Sequence, residues 1–139
     1  MPDPFHLERF TDAQSEVYDQ VLSELRAGRK RTHWMWFIFP QIAGLGSSYT
    51  AVRFAISSLA EAQAYLEHPV LGPRLRDCTA LVNAVEGRSV HEIFGYPDDL
   101  KFHSSMTLFA KAGTENQVFQ NALEKYFAGE MDQLTLQRL

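Results

Sequence analysis

One stretch of the chain is dense in aromatic rings and contains no Asp, Glu, Lys or Arg. It runs from His33 to Gln41 with the sequence HWMWFIFPQ and holds both tryptophans of the protein. Side chains this apolar are stabilised by leaving water, so most of the stretch is expected to be buried. His33 and Gln41 bracket it and place polar groups at the edge of the core. The stretch is therefore the best candidate in the sequence for the wall of a pocket.

Length, charge and cysteine content limit the classes of protein this chain can belong to. At 139 residues it fits one domain, residues 1–139, and can bury roughly two thirds of its unfolded surface. A net charge of −4 argues against general nucleic-acid binding, which needs a basic excess. The first ten residues lack the apolar segment of a signal peptide, so none is expected there, and no stretch reaches the roughly 20 apolar residues of a membrane span. The single cysteine, Cys78, cannot form an internal disulfide, and we predict a soluble, cytoplasmic protein without nucleic-acid or membrane partners.

Apolar spacing and capping residues predict about six helices. Ser58 with Glu61 and Ser89 with Glu92 have the spacing of capping boxes, and Thr11 with Gln14 repeats it. The predicted helices are Thr11–Ala27, Leu59–Glu67, Leu71 to about Gly87, a short one after Ser89, Asp98 towards Gly113, and Thr114 to Gly129. The tail from Glu130 to Leu139 has no clear assignment. Helical signals dominate, but six apolar residues ending at Pro40 fit either a buried strand or a short buried helix.

The aromatic stretch has two interpretations. As a pocket wall, Trp34, Trp36 and Phe39 offer flat surfaces to a planar ligand, whose edge could hydrogen-bond with His33 and Gln41. As plain hydrophobic core, the same residues need no ligand. The two indole N–H groups need hydrogen-bond partners if they are buried, which keeps the pocket interpretation open.

A second candidate follows Pro97, in the sequence DDLKFHSS. On a helix, Asp99 and His103 are four residues apart, so the carboxylate could orient the imidazole for general acid or base catalysis. Asp98 and Lys101 share another face of that helix and could bind a ligand. The alternative is that the acids only stabilise the amino end of the helix and form an exposed ion pair.

Other motifs carry weaker signals. The sequence from Gly44 to Ser48 could present N–H groups to a phosphate, but it lacks a third fingerprint glycine and a P-loop lysine, and a turn is the better interpretation. The five histidines are scattered without metal-ligand spacing, so no metal site is predicted, and the sequence identifies no cofactor. A basic cluster precedes the aromatic stretch, where it either neutralises a helix end or recognises an anion; its members are Arg26, Arg29, Lys30 and Arg31.

Several strings together resemble the bacterial family called domain of unknown function 1810. They are the aromatic stretch with Gly44-Leu45-Gly46, Tyr65-Leu66 with His68-Pro69, Leu71-Gly72, Arg74-Leu75, Phe94-Gly95, Asp98-Asp99 with Lys101, and Ser105-Met106-Thr107-Leu108-Phe109. The resemblance implies one all-α domain, which favours a short helix for the aromatic stretch, although the choice between helix and strand stays open. It implies no established reaction. A weaker similarity of pattern links the chain to the family that processes ADP-ribose derivatives and riboflavin intermediates, where aromatic and acidic residues hold a nucleotide-like ligand.

These observations support two hypotheses about function. The first is a small-molecule pocket for a nucleotide-like or ADP-ribose-like ligand, with hydrolysis of a glycosidic bond as the most coherent reaction and Asp99 or His103 as general acid or base. The second is a non-enzymatic interaction or regulatory module, in which the aromatic stretch is core and the basic cluster contacts an acidic partner. The sequence names neither a substrate nor a protein partner.

Overall fold

Ten α-helices make up the regular secondary structure of residues 2–139, the part of the chain that the computed structural model describes, apart from one isolated bridge. The all-α fold class is as predicted, but ten helices replace the expected six or so. They are α1 (Glu8–Ser15), α2 (Tyr18–Arg26), α3 (Met35–Ile38), α4 (Tyr49–Arg53), α5 (Leu59–Glu67), α6 (Leu71–Asn83), α7 (Val90–Phe94), α8 (Asp98–Ala112), α9 (Gln117–Phe127) and α10 (Gln133–Leu136).

The prediction of a single helix over residues 11–27 is wrong, because the helix is interrupted between α1 and α2. Thr11 lies inside α1, where its hydroxyl donates to the Glu8 carbonyl instead of capping the helix. Gln14 is buried, and its amide donates to the carbonyl of Phe37 at 2.7 Å and to the hydroxyl of Tyr65 at 3.1 Å. Gln14 therefore serves the core and not a capping box, and α1 ends one residue later.

The other capping predictions have mixed outcomes. Ser89 and Glu92 form the complete capping box at the start of α7. The Ser58 hydroxyl caps α5 by accepting the N–H of Glu61 at 3.2 Å, as predicted. Thr114 caps nothing, since α9 begins at Gln117 after an N-cap residue without a side-chain bond.

The aromatic stretch forms α3, the short helix that the resemblance favours. Trp34, Met35, Ile38 and Phe39 are buried, because positions one, four and five apart share one face of a helical turn. Phe39 packs edge-on against Phe94 and Phe102, with ring centroids 5.9 and 5.0 Å away. The stretch is thus mainly core; Trp36, Phe37 and Gln41 are partly exposed, and His33 is exposed.

The longest helix, α8, lies at the centre of the fold and packs against α5, α7, α9 and α10. Its middle and carboxyl-terminal residues, from Ser104 to Ala110, are all buried. Its amino-terminal turns are partly exposed at Asp98, Lys101 and His103. This partly exposed end of α8 is therefore available to form a surface site.

The segment between α3 and α5 forms a loop that is closed by a backbone bridge. Ile42 and Ile56 form the isolated parallel bridge, in which Ala43 N–H donates to Ile56 O and Ile56 N–H to Gln41 O, each at 2.8 Å. The bridge closes a loop that contains Gly44, at a φ of +97°, and α4. Near the end of the chain Asp132 caps α10, which packs against α8. No helix within residues 2–139 is long and apolar enough to cross a membrane.

Candidate functional site

A half-open cavity of about 610 Å³ lies between the amino-terminal half of α8, the loop after α3, α4 and the segment that begins α10. Most of its lining atoms are apolar, and a few polar side chains project among them. The lining residues are Trp36, Gln41, Ile42, Ala43, Gly44, Leu45, Gly46, Ala51, Val52, Phe54, Ala55, Pro97, Leu100, Lys101, His103, Ser104, Asp132 and Leu134. Three of them, Val52, Leu100 and Leu134, are exposed large hydrophobic side chains.

A network of ion pairs links Lys101 at this cavity to the buried tryptophan. The ammonium of Lys101 lies 4.2 Å from the centroid of the Trp36 ring and 3.4 Å from Asp98 Oδ1. The other oxygen of Asp98 accepts from Lys30 Nζ at 2.8 Å, and Lys30 in turn lies 5.2 Å from the Trp34 ring centroid. Each ammonium thus meets the face of one tryptophan, an arrangement that is stabilising for a cation.

His103 and Asp132 also line the cavity, and they come from different elements. His103 Nε2 lies 2.8 Å from the carbonyl oxygen of Glu130, and the imidazole stacks on Phe127 with centroids 3.9 Å apart. Ser104, the next residue on α8, donates its hydroxyl to Asp132 Oδ2 at 3.0 Å. These contacts fix both the imidazole and the carboxylate at the cavity wall.

Four of the nine residues predicted for the site line this cavity. Trp36, Gln41, Lys101 and His103 meet there, although Trp36 and Gln41 come from the aromatic stretch and the other two from α8. Asp98 does not line the cavity but holds Lys101 through their ion pair. The predicted neighbourhood of the aromatic stretch and the start of α8 is therefore present in the structure, while the ligand-binding role of these residues stays a prediction.

Three residues of the aromatic stretch are not placed at the cavity, which corrects the predicted pocket wall. Trp34 is only 1% exposed, and its indole N–H donates to Glu24 Oε1 at 3.0 Å, so its partner is a buried carboxylate and not a ligand. Phe39 is enclosed by Phe94 and Phe102. His33 lies on the surface, outside the cavity lining.

The predicted pair of Asp99 and His103 does not form. Asp99 Oδ2 lies 3.3 Å from His91 Nδ1, and its other oxygen accepts the N–H of Leu100. His103 is held instead by the backbone of Glu130. Their spacing puts Asp99 and His103 on one face of α8. In the structure, however, the Asp99 carboxylate contacts the imidazole of His91 on α7.

The sequence reasoning missed Ser104, Asp132 and Leu134. Asp132 and Leu134 belong to the tail without a predicted element. Ser104 lies in the predicted helix after Pro97, but the sequence gives it no role in the site. A signal was present for one of them: Asp132 and Thr135 have the three-residue spacing of a capping residue and its partner, and Thr135 N–H donates to Asp132 Oδ2 at 3.2 Å. Four residues of helix give too short an apolar pattern to be recognised from periodicity.

The glycine loop from Gly44 to Ser48 is a turn, as expected, and it forms part of the cavity wall. Ser48 caps α4 by accepting the N–H of Ala51 at 3.1 Å. Gly44 has a positive φ of +97°, a backbone conformation that favours glycine at this turn.

In the folded chain a further basic residue, Arg88, lies beside the basic cluster. Arg88 lies against Gly28, where a Cβ would be 3.4 Å from Arg88 Cδ, and this brings it to the segment that carries Arg29 and Arg31. Lys30 is the member that forms an ion pair, with Asp98. Within residues 2–139 the side chains of Arg26, Arg29, Arg31 and Arg88 make no ion pair or hydrogen bond.

The described part of the chain contains no group of three His, Cys, Asp or Glu side chains arranged to hold a metal ion. Cys78 is a free, buried thiol in α6, and burial raises its pKa to about 12, although a hydrogen bond with Tyr18 acts in the opposite direction. Such a thiol is a core residue and a poor nucleophile.

The fold and the cavity define this chain as a small all-helical protein with a half-open apolar cavity on the exposed end of its longest helix. The chain belongs to the family DUF1810, described as a protein of unknown function, whose family model matches residues 4–139. It is similar to the conserved hypothetical protein Rv1873 from Mycobacterium tuberculosis, whose crystal structure at 1.38 Å has 64% sequence identity, a TM-score of 0.98, and coverage of 99% of this chain and 98% of that chain. Comparison with the curated proteins gives no match. The predicted family membership is thereby confirmed.

Proposed function

We propose that the cavity at the amino end of α8 binds a small organic molecule that has a planar, nucleotide-like ring system, and that the protein acts in the cytoplasm. The observation that carries this proposal is the cavity itself. Its volume of about 610 Å³ lies in the range typical of sites for small molecules and cofactors, and its apolar wall is interrupted by a few polar side chains.

The wall suits a ring system with polar substituents. Leu45, Val52, Phe54 and Leu134 give an apolar surface on which a ring loses contact with water. Exposed apolar side chains at the rim would lose their own water contact when a ligand covers them. Specificity would come from Gln41, Lys101, His103 and Asp132, which supply both donors and acceptors.

Hydrolysis of a glycosidic bond stays a prediction, but its candidate catalytic groups are now His103 and Asp132, and Asp99 is no longer one of them. Such chemistry normally uses two carboxyl groups on opposite sides of the bond. Asp132 is the carboxylate that lines the cavity, and His103 is the neighbouring group able to transfer a proton. Asp99 is engaged with His91, so His103 and Asp132 are the first residues to replace in any assay of turnover.

Ligand-dependent thermal stability tests the binding proposal. We expect a nucleoside, a nucleotide or ADP-ribose to raise the melting temperature, because a ligand that binds only the folded state stabilises it. Leu134→Lys should abolish this shift, since Leu134 is an exposed side chain of the cavity wall. Val70→Lys, an equally drastic change at an exposed apolar residue outside the cavity, should retain it. The proposal fails if no compound stabilises the protein or if both variants respond alike.

A second candidate function is favoured by the unpaired arginines. Arg26, Arg29, Arg31 and Arg88 form a positive surface on a protein with net charge −4, as a contact for an acidic partner protein would require. A partner recovered from lysate should be lost with Arg29→Glu/Arg31→Glu and kept with Lys111→Glu, which changes an exposed lysine elsewhere. Equal recovery by both variants removes this surface from the interaction.

A further inference from the structure

The cavity wall offers both a hydrogen-bond donor and hydrogen-bond acceptors to a ligand. The donor is the Lys101 ammonium, which already faces the Trp36 ring and Asp98. Asp132, held by the Ser104 hydroxyl, and His103 line the same cavity and supply acceptors. The acceptor groups decide which ligand substituents this part of the wall favours.

Asp132 keeps one oxygen available. Its Oδ2 accepts three hydrogen bonds, from the Ser104 hydroxyl at 3.0 Å, the Thr135 N–H at 3.2 Å and the Thr135 hydroxyl at 2.6 Å. Its Oδ1 has no hydrogen-bond partner in residues 2–139, and it is not among the polar atoms sealed from solvent. The first oxygen fixes the carboxylate in place, and the second is free to accept from a ligand.

His103, which lines the same cavity, presents a second acceptor. A carbonyl oxygen can only accept, so the Nε2 atom facing Glu130 O must carry the hydrogen, and the Nδ1 atom of the neutral ring then holds a lone pair. Within the described residues Nδ1 has no partner, and it is not sealed from solvent. The stack on Phe127 prevents the ring from turning freely.

We infer that the part of the cavity wall formed by His103 and Asp132 selects ligands that carry hydrogen-bond donors, either an ammonium group or hydroxyl groups, next to an apolar ring. The inference rests on the proposed function and adds the chemical class of the ligand. Asp132 Oδ1 and His103 Nδ1 are the acceptors, and an ammonium gains most because its hydrogen bond to a carboxylate is charge-assisted. A ligand carboxylate placed against these two side chains would meet two acceptors and no donor.

Four compounds with the same indole ring test this selection: tryptamine with an ammonium, tryptophol with a hydroxyl, 3-ethylindole with neither, and indole-3-propionate with a carboxylate. Their dissociation constants can be measured by NMR titration of the isotope-labelled protein. The amides of Gly44 and Gly46 report binding in the cavity, because both glycines line it. We expect tryptamine to bind at least about tenfold more tightly than 3-ethylindole, with tryptophol between them.

Replacement of the acceptors should remove the preference. Asp132→Asn keeps a good helix N-cap but removes the charge, so the affinities for tryptamine and 3-ethylindole should become similar. His103→Asn removes the imidazole acceptor by an independent change and should reduce the preference for tryptophol. Asp19→Asn replaces an exposed carboxylate on α2 and should leave all four affinities unchanged.

The outcomes separate this inference from the proposed function. Equal binding of all four compounds at the cavity keeps the proposed function and overturns the selection for donors. Tightest binding of indole-3-propionate also overturns it and assigns specificity to Lys101. Absence of binding by all four compounds and by the nucleoside series overturns the proposed function together with this inference.

Discussion

The buried carboxylate of Glu24 is predicted to be one of the strongest single determinants of stability. It accepts five hydrogen bonds, from the Gln20 amide, the N–H groups of Arg31 and Thr32, the Thr32 hydroxyl and the Trp34 indole. The residue is 3% exposed. These bonds fix the segment between α2 and α3 and hold Trp34 in the core.

The magnitude follows from the pKa of this carboxyl group. Burial alone would raise the pKa, but hydrogen bonds from Thr32, Arg31 and Gln20 outweigh it and lower the value from 4.5 to about 2. A difference of this size between the unfolded and folded states corresponds to about 3 kcal/mol of stability. Because the folded pKa is the lower one, this stabilisation is complete above pH 4.5 and is lost as the pH falls towards 2.

Glu24→Gln tests this reasoning by urea denaturation at several pH values. At neutral pH we expect the free energy of unfolding to fall by about 3 kcal/mol, because the amide loses the charge and turns an N–H group towards other donors. The matched control is Glu124→Gln, an exposed carboxylate on α9, which should change stability by less than about 0.5 kcal/mol. The gap between wild type and Glu24→Gln should narrow as the pH falls from 4.5 towards 2.

Two results would refute the argument about Glu24. One is a loss of stability at neutral pH no larger than that of Glu124→Gln, which would mean that water replaces the protein donors at no cost. The other is a difference between wild type and Glu24→Gln that stays constant down to pH 2. The second result would show that the charged form is not preferred in the folded state.

Three further changes have specific expected outcomes. Arg9→Met should cost about 3 kcal/mol in urea denaturation, because it leaves the buried Glu61 without its 2.8 Å ion pair; a loss below about 1 kcal/mol contradicts this. Gly72→Ala should lower stability by at least about 2 kcal/mol, since the new Cβ lies 2.1 Å from Leu66 O, and an unchanged melting temperature contradicts this. Cys78, whose pKa burial raises to about 12, should react with a thiol reagent at mildly alkaline pH only after unfolding; rapid labelling of the folded protein argues otherwise.

Local sequence signals predicted the elements whose ends are set by neighbouring residues. Ser89 and Glu92 form a complete capping box because each side chain bonds the backbone of the other residue, a contact that needs no distant partner. The start of α8 at Asp98 and its end before Gly113 also follow from local chemistry, with acids in the first turn. The family resemblance favoured a helix for the aromatic stretch, and α3 in the structure decides between helix and strand.

Distant contacts decide the features that the sequence could not predict. The break after α1 depends on Gln14 reaching Phe37 and Tyr65, which lie 23 and 51 residues away. The pairing of Asp99 with His91 depends on the packing of α7 against α8. Helical spacing shows which residues can be neighbours on one helix, but it does not show which of them a second helix will engage.

The same distinction explains why the aromatic stretch predicted the cavity only in part. A helical turn sends Trp34, Met35, Ile38 and Phe39 to the core and leaves Trp36 at the cavity, so five apolar neighbours in sequence have two different roles. The carboxylate that lines the cavity belongs to Asp132, about a hundred residues after Trp36 in the sequence, and no local pattern links the two residues. A loss of ligand binding after replacement of Trp34 would therefore reflect damage to the core and not a lost ligand contact, because Trp34 is part of the core and hydrogen-bonds to Glu24. Replacement of Trp36 or Asp132 examines the cavity directly, since both side chains line it.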